Sequence, residues 1–525
     1  MKRLLKAIWS SIRGEILSII HDPRSRTAAI WTLFFSFLAH GYRWFNACFN
    51  HDSLIIWQSD GLQQLYLGRW LVPFWLLVRG KIGVPLLIAV FSVCFLALAD
   101  ILLVRVLDIR KKYGIVLLCA LLSASPSVTC LFSCFITATD IHTLAILLSV
   151  SAVWFFLSFR RGWIPACLAL AGAMALYPSY AEVTVLLLIL LIFKDIACSE
   201  KTVTEKGKIW RMFAFVAAGG FVYYAVWFIA VRYLSGAGLS ASPVAGDYNS
   251  LNRLGDLRLS NLPDLVKGTY ASFWQFVSFP ETMHPRIVGL LNVLLAIGAF
   301  FLLVLSVRKP VRLLPAAALL LILPLGTNFA YIFSGGLVHS MMVFSFSILY
   351  AGALMCMEFP GRSEGLGKVA GTVTKVLMAI ALSIIALTFI VFANQCHIRK
   401  NLEEQATLSV MTRILDRMEQ TEGFEPGKTR VVFVGDLNES SVAQVRNGYD
   451  ETNPVQWKCG YYSMTYNEGY AFYLQNVLGY PVGLVDHQTL DSYSQMPEVM
   501  EMPAFPATGC VKMIGDTLVV KLSEE

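Results

Sequence analysis

Carboxylates gather at a few polar interruptions in an otherwise apolar chain. The first interruption, Cys48–Lys81, holds His51, Asp52, Asp60 and the triplet Gly68-Arg69-Trp70. Asp140 and His142 follow Thr137, Glu182 follows the Tyr177-Pro178 pair, and His339 follows Ser334-Gly-Gly336. A carboxylate at a membrane boundary suits proton removal from a hydroxyl that attacks a lipid-borne substrate. Were that substrate a lipid-phosphate sugar, a cation would have to steady the leaving phosphate. Apolar surface would have to hold the prenyl chain.

Asp52, with His51 beside it, is the first candidate for the base; its alternative is a solvated loop carboxylate or a cap on the Ser53–Trp57 turn. Asp60-Gly-Leu-Gln63 fits a helix N-cap with a reciprocating glutamine, so Asp60 is a structural residue first and a supporting acid second. From Leu62 to Val78 the pattern predicts one interfacial helix that carries Arg69. Its planar, forked guanidinium suits a phosphate, and equally suits snorkelling to ordinary headgroups. Asp140 reads as a second acid, an acceptor-positioning group or a helix cap. His142 either hydrogen-bonds in the same cavity or simply packs. Glu182 is a supporting candidate, and His339 is either a phosphate-binding cation or a neutral cavity histidine. Asp52, Asp140 and the histidines include donors for a divalent metal, but no ligand spacing enforces one. No metal site is therefore assigned and no cofactor is required. Asp100, inside an apolar span, is read as paired with a neighbouring helix.

The elements that must position these residues are membrane helices. Hydrophobic residues make up 56% of the chain, charged residues 15%, and the mean hydropathy is +0.61. Apolar runs of about 20 residues match a bilayer core of roughly 30 Å. The reading is an α-helical polytopic membrane protein with about 11 spans. They fall near 28–47, 84–107, 113–132, 137–159, 164–178, 181–197, 211–234, 286–306, 313–333, 337–358 and 374–394. Residues 1–27 form a basic amphipathic helix on the inner surface. With that end inside, Arg110-Lys111-Lys112, Arg160-Arg161, Lys201/Lys206/Lys208, Arg308-Lys309/Arg312 and Arg362/Lys368 all fall in cytoplasmic loops. This distribution accounts for the net charge of +7 without invoking nucleic acid. The first apolar run, Ala28–Ala47, is too long and begins too late for a signal-peptide core, so no cleavable signal is expected.

The expected organisation is an N-terminal surface helix (1–27), a transmembrane unit (28–395) and a small extracytoplasmic α/β domain (396–525). In the last, Leu402–Met418 carries a helical apolar stripe, Thr429–Val434 and Pro481–Val485 read as strands, and Tyr470–Leu478 reads as a helix. Gly515-Asp516 marks a hairpin between Cys510–Ile514 and Thr517–Leu522. Phe433-Val-Gly-Asp436 lacks a following glycine-rich loop and reads as a plain strand exit. The 11 cysteines show no CxxC pair. Cys459 and Cys510 have the option of pairing if this region is extracytoplasmic.

Three features together resemble the GT-C membrane glycosyltransferases: the first-loop acid Asp52, the Gly68-Arg-Trp-Leu71 segment, and an aspartate, Asp140, opening the fourth span. Within that fold the chain is most similar to the Gtr-type glucosyltransferases that modify O-antigens and related bacterial surface glycans. The resemblance covers most of 28–395. It implies an inverting transfer, typically of glucose, from an undecaprenyl-phosphate donor to a surface glycan outside the cytoplasmic membrane. A donor-synthesising transferase and a flippase would be companions. It places Asp52 and Asp140 as the loop acids and Arg69 as the motif arginine. Two departures stand out: His51 occupies the place of a second first-loop acid, and His339 the place of a late-span arginine. The C-terminal region lies outside what the motifs explain. The alternatives are a polymerase or ligase of lipid-linked oligosaccharides and a polyprenyl-sugar flippase. A flippase would continue its polar residues through the midplane, whereas here they concentrate at one rim.

Overall fold

The computed structural model describes residues 2–46, 54, 61–65, 67–159, 161–198, 206–236, 260–278, 285–307, 309–336, 338–360, 365–437, 467–485 and 487–524. His51, Asp52 and Asp60 lie outside the described residues, as does Cys459. The fold is that of a helical membrane protein. Six described helices are long and apolar enough to cross a bilayer, or up to seven if one bent pair is a single span.

The surface helix α1 (Lys2–His21) ends at Asp22, whose side chain caps α2 (Pro23–Phe45) by accepting from the Arg24 backbone nitrogen at 2.9 Å. Pro23 at the first turn needs no hydrogen bond there. The expected single helix from 62 to 78 is not formed. A 3-10 turn at Leu62–Leu65 is followed by Gly68 with φ +79° and a separate short helix, α3 (Val72–Arg79). A left-handed residue cannot sit inside an α-helix, so the chain breaks at Gly68 and leaves Arg69 on the turn. Helix α4 (Pro85–Leu107) crosses next and ends at Asp108 in the left-handed conformation, φ 56°.

The third predicted span is bent. Helix α5 (Lys112–Ser123) meets α6 (Pro126–Cys134) at 41°, where Ser125 caps the new helix and Pro126 starts it. Helices α7 (Thr139–Ser158), α8 (Trp163–Leu176) and α9 (Ala181–Cys198) follow, with a 3-10 turn at Pro178–Tyr180 separating the last two. Helix α10 (Lys206–Gly236) precedes α11 (Leu262–Ser278), which lies between the spans predicted at 211–234 and 286–306. The set then continues with α12 (Arg286–Ser306), α13 (Leu313–Thr327), the single turn α14 (Ala330–Phe333) and α15 (Phe344–Met357).

The last apolar helix, α16, runs unbroken from Gly365 to Glu419, so it crosses the boundary expected at 395 and absorbs the stripe at Leu402–Met418. A four-stranded sheet follows, in the order β2-β1-β4-β3, from β1 (Arg430–Val434), β2 (Gly483–Leu484), β3 (Val511–Ile514) and β4 (Thr517–Lys521). Its first strand pairs in parallel with both neighbours, and β3 and β4 form an antiparallel hairpin through Gly515 at φ 63°. Helix α17 (Asn467–Asn476) packs its Tyr470, Ala471, Tyr473 and Leu474 with Val431, Phe433 and the end of α16. Cys510 is a free, buried thiol whose sulfur lies 3.0 Å from the Arg417 guanidinium, so it forms no pair with Cys459.

Candidate active site

Polar side chains accumulate where α2, α6, α7, α8 and the 328–343 segment end together. Asp140, in the first turn of α7, has no exposed surface. It does not cap its helix; Oδ2 accepts from Trp75 Nε1 at 2.7 Å and lies 3.5 Å from Arg79 Nε. Arg79 also donates from Nη1 to the Thr137 carbonyl at 2.9 Å. Asp140 thus anchors both side chains of α3. The approach is close because Gly83 stands against Thr137, where a Cβ would come within 2.8 Å of the threonine methyl.

Arg69 is held by the turn that interrupts the predicted helix. Its Nη1 donates to Gln64 Oε1 at 2.8 Å, and its guanidinium lies 4.3 Å from the centre of the Tyr177 ring. Tyr177 in turn lies against His142, ring centres 4.5 Å apart. Tyr180 gives its one proton to the Met341 carbonyl at 3.3 Å, so His142 Nδ1 donates to the Tyr180 oxygen at 3.1 Å. The structure therefore connects Arg69 and His142 by way of one aromatic network that reaches the 339–342 segment.

Glu182 is elsewhere. Its carboxyl is buried and accepts from the Ala330 backbone nitrogen at 2.6 Å and from Ser345 Oγ at 3.2 Å, tying α9 to α14 and α15. His339 lines a chamber of about 430 Å³ between α11, the end of α6 and the 331–341 segment. Beside it, α11, α12, α13 and α15 enclose an apolar slot of about 350 Å³. Phe276 lines both. Trp274 and Phe300, which line the slot, are also exposed on the outside of the helix bundle. Asp100 accepts from Thr32 Oγ1 at 2.6 Å and so pairs α4 with α2.

One cation escaped the sequence reading. Arg43 is fully buried at the end of α2; among the described residues its one hydrogen bond is a 3.4 Å contact from Nη2 to the Ser133 carbonyl, and Nε and Nη1 have no partner. The available signal was an arginine one turn before the end of an apolar run. On α16, parallel to α2, His397 meets His40 at 3.0 Å, and three residues further along each helix stand Lys400 and Arg43. Lys400 is also fully buried, with Glu404 3.1 Å away. Among the described residues, no group of three or more His, Cys, Asp or Glu is placed to hold a metal ion.

Apolar helices long enough to cross a bilayer, a cluster of buried polar groups where several of them end, and an apolar slot adjoining a more polar chamber fit an integral membrane protein. The family model of glucosyl transferase GtrII matches residues 41–357, more than half the chain, and the chain belongs to that family. It is a glycosyltransferase. No curated protein and no solved structure matches it. The matched region contains Arg43, the first loop, Arg69, Asp140, Glu182, His339, the whole chamber and all of the slot's lining except Phe389, and stops before α16 and the sheet.

Proposed function

We propose that the enzyme transfers glucose from undecaprenyl-phosphate glucose to a bacterial surface glycan on the extracytoplasmic face of the cell membrane, with inversion. The observation that carries this reading is the pair of adjoining cavities. A prenyl chain needs an apolar slot reachable from the bilayer, and its phosphate and sugar need polar surroundings at the end of that slot. The slot with Trp274 and Phe300 at its rim and the chamber with His339 fit those needs in that order.

In the proposed step, Asp52 takes the proton of the acceptor hydroxyl while that oxygen attacks the anomeric carbon. The bond from that carbon to the phosphate oxygen breaks, its electron pair stays with undecaprenyl phosphate, and the configuration inverts. Phosphate is a good leaving group, so no general acid is needed. Arg43, Arg69 and His339 supply positive or donating groups for the departing phosphate. Asp140 acts through Arg79 and Trp75, as a positioning residue.

We assign eleven passes, to α2, α4, the α5/α6 pair, α7, α8, α9, α10, α12, α13, α15 and α16; of these, six described helices, or seven with the α5/α6 pair as one span, are long and apolar enough to cross by themselves. The basic loops then face the cytoplasm, and the first loop and the sheet region lie outside.

The test is transfer by full-length protein in lipid nanodiscs, supplied with undecaprenyl-phosphate glucose and a glycan acceptor. Asp52→Asn is expected to lower kcat by about 10²–10⁴-fold. Normal turnover by folded Asp52→Asn protein would remove the base, and equal activity with a water-soluble nucleotide sugar would remove the lipid donor.

A further inference from the structure

We propose that the chamber between α11, the end of α6 and the 331–341 segment holds the hexosyl ring of the donor, and that Ser272 and Gln275 read its hydroxyls. This inference rests on the lipid-donor reading and assigns it a sugar-specificity site. A chamber of about 430 Å³ is in the size range of small-ligand sites. Its contact with the apolar slot through Phe276 orders the donor: chain in the slot, sugar beyond it.

The chamber wall is shaped for hydroxyl recognition. Behind the lining residues, Asn328, 1% exposed, donates from Nδ2 to Ser272 Oγ at 3.2 Å. The serine oxygen is thereby used as an acceptor, and its proton remains to donate into the chamber. Asn328 Oδ1 is buried and has no hydrogen-bond partner among the described residues. One helical turn away from Ser272 on α11, Gln275 is exposed on the same wall and offers both an amide donor and an acceptor. The Tyr331 ring supplies a flat opposing surface. It approaches α11 so closely that a Cβ on Gly268 would lie 2.5 Å from its ring carbon, and any larger residue there would push the ring into the chamber. A site built on hydrogen bonds to hydroxyls rejects a ring whose hydroxyl points elsewhere, because its own polar groups are then left unpaired.

The experiment measures binding of three ligands to full-length protein in nanodiscs: undecaprenyl-phosphate glucose, undecaprenyl-phosphate galactose and undecaprenyl phosphate itself. Transfer is assayed separately. Ser272→Ala and Gln275→Ala are each expected to raise Kd for the glucosyl lipid about tenfold. They should narrow its advantage over the galactosyl lipid and leave Kd for bare undecaprenyl phosphate unchanged. Ser272→Ala removes one oxygen, so it preserves the packing and keeps the test valid if the second variant folds poorly. Unchanged glucosyl-lipid affinity overturns the proposal, as does equal weakening of all three ligands. Active wild-type enzyme with variants of unaltered discrimination removes the chamber alone. Discrimination by the chamber without any transfer removes the enzymatic reading and keeps the chamber.

Discussion

Arg43 carries a charge into the protein interior with one long hydrogen bond and no counter-ion among the described residues. An unpaired buried ion costs several kcal/mol even after relaxation. If Arg43 served packing alone, an apolar side chain of similar length would relieve that cost. Arg43→Met is therefore expected to hold or raise thermal stability. As a phosphate ligand its loss should lower kcat/KM for undecaprenyl-phosphate glucose by about 10²-fold, or about 2.7 kcal/mol. Arg43→Lys keeps the charge but loses the fork and should fall between. Lowered thermal stability with unchanged transfer would reject the ligand role. The residue was hard to see in sequence because an arginine near the end of an apolar run ordinarily snorkels to the surface. Only the packing of α6 and α16 around α2 shows that the route to the surface is closed. Asp140 was legible as a boundary acid, yet its partners Trp75 and Arg79 were not, since they are 65 and 61 positions distant along the chain.

At the scale of elements, α3 is a short helix whose position depends on two side chains reaching Asp140. Removing the carboxylate leaves Arg79 buried and unpaired, a change that typically costs about 3–5 kcal/mol. Asp140→Leu should lower the thermal midpoint strongly, and Asp140→Leu with Arg79→Met should recover much of the loss. A double-mutant cycle read by thermal unfolding in detergent should give a coupling of about 0.5–3 kcal/mol. Strictly additive effects would show that the pair does not hold α3. Helix lengths were legible because a bilayer demands long apolar runs, as at Arg286–Ser306, where expectation and structure coincide. Breaks were less so. The Leu62–Val78 periodicity is compatible with one helix, and the positive φ of Gly68 decides otherwise. The bend between α5 and α6 follows from Ser125-Pro126, a cap and a first-turn proline in the middle of a run read as continuous. The two cavities were not legible at all, because they arise from residues of four or more helices that no local pattern connects.

Across the whole molecule, the first loop is fastened to the C-terminal region. Leu54 is fully buried in the cluster formed by Val410, Met411 and Ile414 of α16 with Phe433, Tyr470 and Leu518. Its carbonyl accepts from Asn476 Nδ2 at 2.8 Å. The sequence pointed to a separate α/β unit at this end, but it gave no sign that a residue more than 420 positions away would enter its core. Asp52, the proposed base, precedes Leu54 by two residues in the chain, so changes at this attachment test whether it bears on the base. Ordering a catalytic group beforehand lowers the entropic part of the barrier, and a loosened group loses rate before it loses substrate affinity. Leu54→Ser removes the apolar anchor, at a cost of about 2–5 kcal/mol for a large-to-small core change. Asn476→Ala removes only the hydrogen bond. Each variant is expected to lower kcat, the first by more than the second, with Kd for undecaprenyl-phosphate glucose unchanged, because neither Leu54 nor Asn476 lines the slot or the chamber. Full kcat in Leu54→Ser protein would free the sheet region from any part in catalysis. A fall in donor affinity with kcat intact would move its influence from the base to the donor site.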